Sequence, residues 1–128
     1  MELVRALLLK LEAVDTHPGV VRVISPSDAA VAVEGFDAKA IGHHFRMLVS
    51  AGYVETGQTW PFGPDGSMVF RHLTWEGHEF LDAVRDPKIW ADTKRGAEAA
   101  GGFTIDLLKD LAKGFLRKQV EELTGVKL

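Results

Sequence analysis

Residues 73–82 read LTWEGHEFLD, the order of a strand end, a helix cap and a helix. Thr74 is a preferred N-cap residue, because its hydroxyl can accept from the free backbone N–H groups two or three positions on. Gly77 falls in the first turn, where glycine destabilises a helix by about 1 kcal/mol relative to alanine. We therefore expect a neighbouring helix or strand to approach Gly77 more closely than a side chain would allow.

Apolar residues at helical spacing extend this reading to both sides of the stretch. The periodicity predicts helices over residues 2–14, 37–51, 75–85, 87–99 and 105–123. Asp37, Asp86 and Thr104 are preferred N-cap types, Pro87 is favoured at a first helical position, and Gly52 is a typical stop.

Two segments between these helices predict short strands. Residues 20–24 form a β-branched run, and residues 30–33 alternate alanine and valine. The second segment also fits a short helix over 28–33 with Ser27 as its N-cap, and the pattern leaves both interpretations open. Farther along, residues 53–55 and 68–73 are strand-like, and the turn formers between them predict a hairpin with a long tip.

The order helix, strand region, helix, hairpin, helix is that of a winged helix. We expect an α+β, mostly helical fold, with a winged helix-turn-helix core and a β-hairpin wing over residues 1–85. Two additional C-terminal helices follow. Residues 86–128 would then be a helical extension that packs on the core or forms a dimer interface.

Composition excludes several classes of protein. The 128 residues contain no cysteine, which rules out disulfides, cysteine zinc ligands and thiol nucleophiles and favours a cytoplasmic location. The apolar run 3–11 is too short and too charged for a bilayer span and lacks the cleavage site of a signal peptide. We expect no membrane association.

The charge balance limits how the chain could bind nucleic acid. The formal net charge is −3, from 15 basic and 18 acidic residues. Residues 1–85 carry 7 lysines and arginines against 11 acidic residues, whereas residues 86–128 carry 8 against 7. Any contact with phosphates must come from a local patch, with modest and salt-sensitive affinity.

Several motifs resemble known families. Residues 41–55, IGHHFRMLVSAGYVE, look like the recognition helix and following strand of bacterial regulators. Nearly the whole chain resembles the domain of unknown function numbered 2513, found in uncharacterised bacterial and prophage proteins. That resemblance is carried by residues 1–5, 8–12, Ile41, His44, Leu48, 73–82, 85–86, 89–90 and 101–104. It implies a winged-helix-like fold and supplies no activity.

The outward face of helix 37–51 is the candidate DNA-reading surface. Arg46 could pair with guanine or grip a phosphate, and His43 could donate to a base acceptor. The predicted contacts are Lys39, His43, Arg46, Met47 and Ser50, with Arg71 on the return strand of the wing. The alternative is a merely solvated helix face. Trp60 and Phe62, near the wing tip, are expected to pack over a core edge more often than to stack on bases.

The last helix has a wide apolar stripe that must be buried against its own domain or a second copy. Leu108, Leu111, Phe115 and Leu116 are the predicted dimer contacts, which would present two copies of helix 37–51 to a two-fold DNA site. The alternative function is a protein-interaction module on a winged-helix scaffold that binds no DNA.

Catalytic and metal chemistry find little support in the sequence. His43 and His44 are adjacent and point about 100° apart on a helix, and His78 with Asp82 supplies only two ligands. There is no nucleophile elbow, no phosphate-binding glycine loop and no carboxylate pair that spacing forces together. We expect a chain that is not an enzyme and uses neither metal nor cofactor.

Overall fold

A computed structural model describes residues 2–14, 19–101 and 104–127. Over these residues the fold is mixed α+β and mostly helical, with five α-helices and two small antiparallel sheets of two strands each. The helices are α1 (Glu2–Glu12), α2 (Ala38–Ser50), α3 (Trp75–Val84), α4 (Pro87–Ala100) and α5 (Ile105–Thr124). The strands are β1 (Arg22–Ile24), β2 (Val54–Glu55), β3 (Met68–Phe70) and β4 (His72–Leu73).

The chain divides into two compact units, residues 1–78 and residues 79–128. The division lies inside α3, whereas the sequence predicts a boundary after the end of that helix. In the first unit α1 packs against α2, β4 and a short 3₁₀ turn at Ala29–Val31, and in the second α4 packs against α5.

Local cap chemistry sets the helix ends as predicted. The Asp37 carboxylate accepts from the Ala40 N–H at 2.9 Å and begins α2. Asp86 accepts from the Lys88 N–H at 2.7 Å ahead of Pro87. These bonds satisfy N–H groups that have no partner within the helix.

The region between α1 and α2 corrects one prediction. Residues 22–24 form the expected strand, but residues 30–33 form no second strand, and Ala29–Val31 make a 3₁₀ turn instead. The helical alternative was closer, although its cap is Asp28 and not Ser27, since the Asp28 carboxylate accepts from the Ala30 N–H at 3.0 Å. A side chain that bonds its own backbone two residues on favours a turn over a strand.

The strand pairing is more divided than a simple hairpin. β2 pairs with β4, which confirms the part of the predicted hairpin nearest the core. β3 pairs with β1, with Val69 opposite Val23. The segment 68–73 after the wing loop therefore pairs with two different strands, through β3 with β1 and through β4 with β2. Arg71, between β3 and β4, donates its backbone N–H to the Glu55 carbonyl at 3.0 Å. The sequence predicts a strand in the β-branched run 20–24 without indicating its partner, and that partner is β3.

In the first unit, buried apolar side chains from α1, α2 and the strands form the interior. In α2 the fully buried residues recur with helical spacing, at Ile41, Phe45 and Leu48. Burying each such side chain contributes about 1.5–3 kcal/mol relative to exposure. The orientation of α2 is therefore fixed, and its opposite face is left to solvent.

Candidate nucleic-acid interface

Thr74 fixes the C-terminal end of α2 relative to the start of α3. Its hydroxyl donates to the Gly52 carbonyl at 2.5 Å and accepts from the Gly77 N–H at 3.0 Å. Its backbone N–H donates to the Tyr53 carbonyl at 3.0 Å. The predicted N-cap at Thr74 is confirmed, and the same hydroxyl also bonds to Gly52, which follows the C-cap of α2.

The backbone of Tyr53 lies very close to Gly77, as the presence of a destabilising glycine in this helix predicts. A Cβ added there would lie 3.1 Å from the carbonyl carbon of Tyr53 and far inside contact distance of its oxygen. The neighbour is backbone immediately before β2, so a flexible side chain cannot simply move aside. The joint between α2, β2 and α3 therefore requires glycine.

Replacing Thr74 with valine tests this joint. Thr74→Val keeps the side-chain volume and removes both hydroxyl hydrogen bonds, so we expect the free energy of unfolding to fall by about 1–2 kcal/mol. Urea denaturation followed by circular dichroism measures it. Thr59→Val, at an exposed loop position, is the control, and we expect it to change stability by less than about 0.5 kcal/mol. Equal losses in the two variants would contradict the role given to Thr74.

The outward face of α2 presents the side chains that the sequence predicts. Lys39, His43, Arg46 and Ser50 are exposed, and Met47 is half-buried. The neighbouring His44 is half-buried, and its Nδ1 lies 2.9 Å from the Ala40 carbonyl oxygen, so that nitrogen carries the proton and donates. His43 meets the His44 ring edge to face, with centroids 5.9 Å apart.

Arg46 connects this face to the loop between β2 and β3, called here the wing loop (residues 56–67). Its guanidinium lies over the Phe62 ring, 4.8 Å from the centroid. Phe62 in turn meets Trp60 edge to face, with centroids 6.4 Å apart and planes at 90°. A guanidinium stacked on an aromatic ring is held in place while its N–H edges stay available to a ligand. Sequence reasoning missed this contact because nothing local joins residues 46 and 62.

Hydrogen bonds order the tip of the wing loop. The Asp65 carboxylate accepts from the Ser67 N–H at 3.0 Å and from its hydroxyl at 2.8 Å. These bonds lower the pKa of Asp65 from its usual value. Because the folded pKa is the lower one, the bonds stabilise the loop above the ordinary pKa of an aspartate, and that stabilisation is lost as the pH falls through the lowered value.

Arg71 lies at the base of the wing loop. The backbone of Gly57 passes beneath it so closely that a Cβ at Gly57 would lie 2.8 Å from the Arg71 Cδ. The side chain is half-buried. Arg71 is thus placed beside the start of the loop that also carries Trp60 and Phe62.

Two of the predicted dimer residues, Leu111 and Phe115, lie on the α5 side that faces α4. Leu108 is only 1% exposed within one chain. A Cβ at Gly96 of α4 would lie 3.4 Å from the Leu111 methyl carbons and 3.7 Å from the Phe115 ring, so α4 covers part of both side chains. Leu111, Phe115 and Leu116 are half-buried.

The histidine and carboxylate pairs that raised the question of a metal have other neighbours. His78 Nδ1 lies 3.9 Å from a Glu12 carboxylate oxygen, and Asp82 pairs with Arg85 at 2.9 Å. Within residues 2–14, 19–101 and 104–127, no three histidine, aspartate or glutamate side chains come together as metal ligands would. In the same ranges no helix has the length and apolarity needed to cross a bilayer.

Comparison with known proteins gives a family and a relative. The model of the family described as "Hypothetical protein (DUF2513)" matches residues 1–103. An "Uncharacterized protein" of Haemophilus influenzae is 29% identical over 120 residues, which covers 93% of this chain and 95% of the relative. No solved structure matches.

Proposed function

The chain belongs to the DUF2513 family, and we propose that it binds double-stranded DNA through the exposed face of α2, as a bacterial or prophage transcriptional regulator does. The binding unit is a winged helix-turn-helix formed by residues 1–85. In it α2 is the recognition helix and the wing loop is the wing. No catalytic step, metal or cofactor enters this proposal.

The arrangement of elements supports the winged-helix proposal. The strand between the first two helices, β1, pairs antiparallel with β3, which follows the wing loop, and β2 pairs with β4. α3 begins directly after β4. The wing loop follows an amphipathic helix and lies between two strands, each of which pairs antiparallel with another strand, and this placement supports a wing.

The observation that carries the proposal is the contact between Arg46 and Phe62. An exposed arginine on the outward face of α2 is held by the wing loop, 4.8 Å from the Phe62 centroid, so helix and wing present one continuous surface. The guanidinium edge can donate to guanine O6 and N7 or to a phosphate. Lys39 and His43 lie on the same helix face and supply further donors.

Charge sets the strength of binding. Because residues 1–85 are net acidic, the attraction to DNA comes from the α2 face and not from the unit as a whole. We expect modest affinity that falls steeply with added salt.

A gel-retardation screen tests the proposal. Duplex fragments of bacterial genomic DNA are incubated at low salt with the wild-type chain and with a variant carrying Lys39→Ala and Arg46→Ala. We expect the wild type to retard some of these fragments and the variant to leave the same fragments unshifted. If both proteins retard the same fragments equally, the α2 face is not the DNA-binding surface.

A protein-interaction module is the second candidate, and one observation favours it. Val23, Trp60 and Val69 line a shallow apolar cavity of about 360 Å³ beside the wing loop. Exposed apolar surface of this kind is typical of protein contacts. A folded chain that retains no duplex at low salt would favour this function.

A further inference from the structure

The outer edge of β1 is the surface that DNA binding leaves unexplained. Val23 is 68% exposed, and Val20 and Val21 before it are also exposed. β-branched residues with one arginine among them have high strand propensity and carry few of the charges that usually protect an edge strand. Edge strands of this composition pair readily with another chain.

The hydrogen bonds of β3 show where the backbone of Val23 points. The Val69 N–H donates to the Pro61 carbonyl at 2.8 Å, on the side of β3 away from β1. Val69 and Val23 face each other in the antiparallel register, so theirs is the pair without mutual hydrogen bonds. The N–H and C=O of Val23 therefore point away from β3, toward the outer edge of β1.

The side chain of Val23 lies on an apolar face that runs from β1 across β3 to the wing loop. It lines the cavity beside the wing loop together with Val69 and Trp60, and Trp60 is 74% exposed. A strand added to β1 would bond to the Val23 backbone and extend this face. The edge thus offers two backbone hydrogen bonds and an apolar contact at one residue.

We propose that a second copy of this chain adds its own β1 antiparallel to this edge, with the two Val23 residues paired across a two-fold axis. The two Val23 residues exchange both N–H to C=O hydrogen bonds. β3, β1 and their two symmetry mates become one four-stranded sheet.

The sequence of β1 fits itself in this register. A two-fold axis at Val23 places Arg22 of one copy opposite Ile24 of the other, so the two Arg22 residues do not face each other. Like charges directly opposite destabilise a strand pair, and this register avoids them. Val23 faces Val23 on the axis and each Arg22 faces an Ile24, and the contact is isologous, as a two-fold dimer requires.

This surface differs from the one that the sequence predicts for a dimer. Leu108 is buried within one chain, and Leu111 and Phe115 lie over Gly96, which leaves less of α5 for a second copy. Within residues 2–14, 19–101 and 104–127 no strand pairs with the outer edge of β1, where Val20, Val21 and Val23 are exposed. The two surfaces can be separated by substitution.

Cysteine cross-linking tests the proposed axis, and the chain has no cysteine of its own. Opposed residues in a hydrogen-bonded antiparallel pair have Cα atoms about 5.5 Å apart, so two cysteines at the axis lie within reach of a short bismaleimide linker. Treated with this linker, Val23→Cys is expected to give mostly covalent dimer. Leu123→Cys, at a position 77% exposed on α5, is the matched control and is expected to stay mostly monomeric.

Sedimentation gives the second measurement, on the unmodified chain. The wild type is expected to sediment as a dimer, Val23→Lys as a monomer with an unchanged circular dichroism spectrum, and Leu116→Lys as a dimer. A monomeric wild type, or a dimer that Leu116→Lys dissociates and Val23→Lys leaves intact, would overturn the proposal. Equal cross-linking of the two cysteine variants would overturn it as well.

Discussion

Gly77→Ala is expected to lower the free energy of unfolding by about 3 kcal/mol, because the new methyl group has no space and overpacking against fixed structure costs this much. It would overlap the Tyr53 carbonyl oxygen. That carbonyl also accepts from the Thr74 N–H at 3.0 Å, and Tyr53 precedes β2 directly, so the backbone cannot retreat without breaking the joint. Urea denaturation followed by circular dichroism measures the loss.

Gly114→Ala is the matched control, since it makes the same change in another helix. A Cβ at Gly114 meets no atom within 4 Å. Alanine there removes the helix cost of glycine and should raise the free energy of unfolding by about 0.5–1 kcal/mol. Opposite signs for the two substitutions are the expected result. A neutral or stabilising Gly77→Ala would show that the approach of Tyr53 is not fixed.

Arg46→Ala is expected to weaken binding to a duplex that the wild type retards in the gel screen. The expected loss of affinity is roughly 10-fold to 100-fold, the effect of losing one arginine that contacts a base. The variant loses the positive charge and the planar group stacked on Phe62. Fluorescence anisotropy with a labelled duplex measures the dissociation constant. Arg46→Lys keeps the charge without the planar fork and should fall between the wild type and the alanine variant.

Arg95→Ala controls for the loss of charge alone. Arg95 is exposed on α4 and pairs with Asp92 one turn earlier. We expect this variant to bind the duplex with nearly wild-type affinity. An equal loss from Arg95→Ala would mean that net charge, and not the α2 face, governs binding.

The features that sequence predicted correctly depend on a few consecutive residues. Asp37, Thr74 and Asp86 cap helices through bonds to N–H groups two or three positions on. Gly77 signalled a close neighbour because glycine in a helix has a local cost. The burial of one α2 face follows from its 3.6-residue period.

The features that sequence missed depend on distant partners. Nothing in residues 20–24 says that they pair with residues 68–70, and nothing near residue 46 indicates Phe62. The turn at Ala29–Val31 was ambiguous because a short alanine and valine alternation fits a strand and a helix equally. In each case tertiary contacts or a single side-chain bond decided between local alternatives.

The same reasoning applies to the predicted dimer surface. The apolar stripe of α5 could be recognised from its spacing, but spacing cannot tell whether α4 or a second copy covers it. Gly96 lets α4 come close to Leu111 and Phe115, and a glycine in the middle of a helix is a signal that could have indicated this packing.

Wild-type affinity for duplex DNA as a function of salt concentration tests the central claim most directly. If Lys39 and Arg46 on the α2 face contact phosphates, binding appears at low salt and the logarithm of the association constant falls linearly with the logarithm of salt concentration. The slope is expected to be about −0.9 for each phosphate contacted. A folded wild-type chain that binds no duplex at low salt, or whose binding is insensitive to salt, would contradict the account.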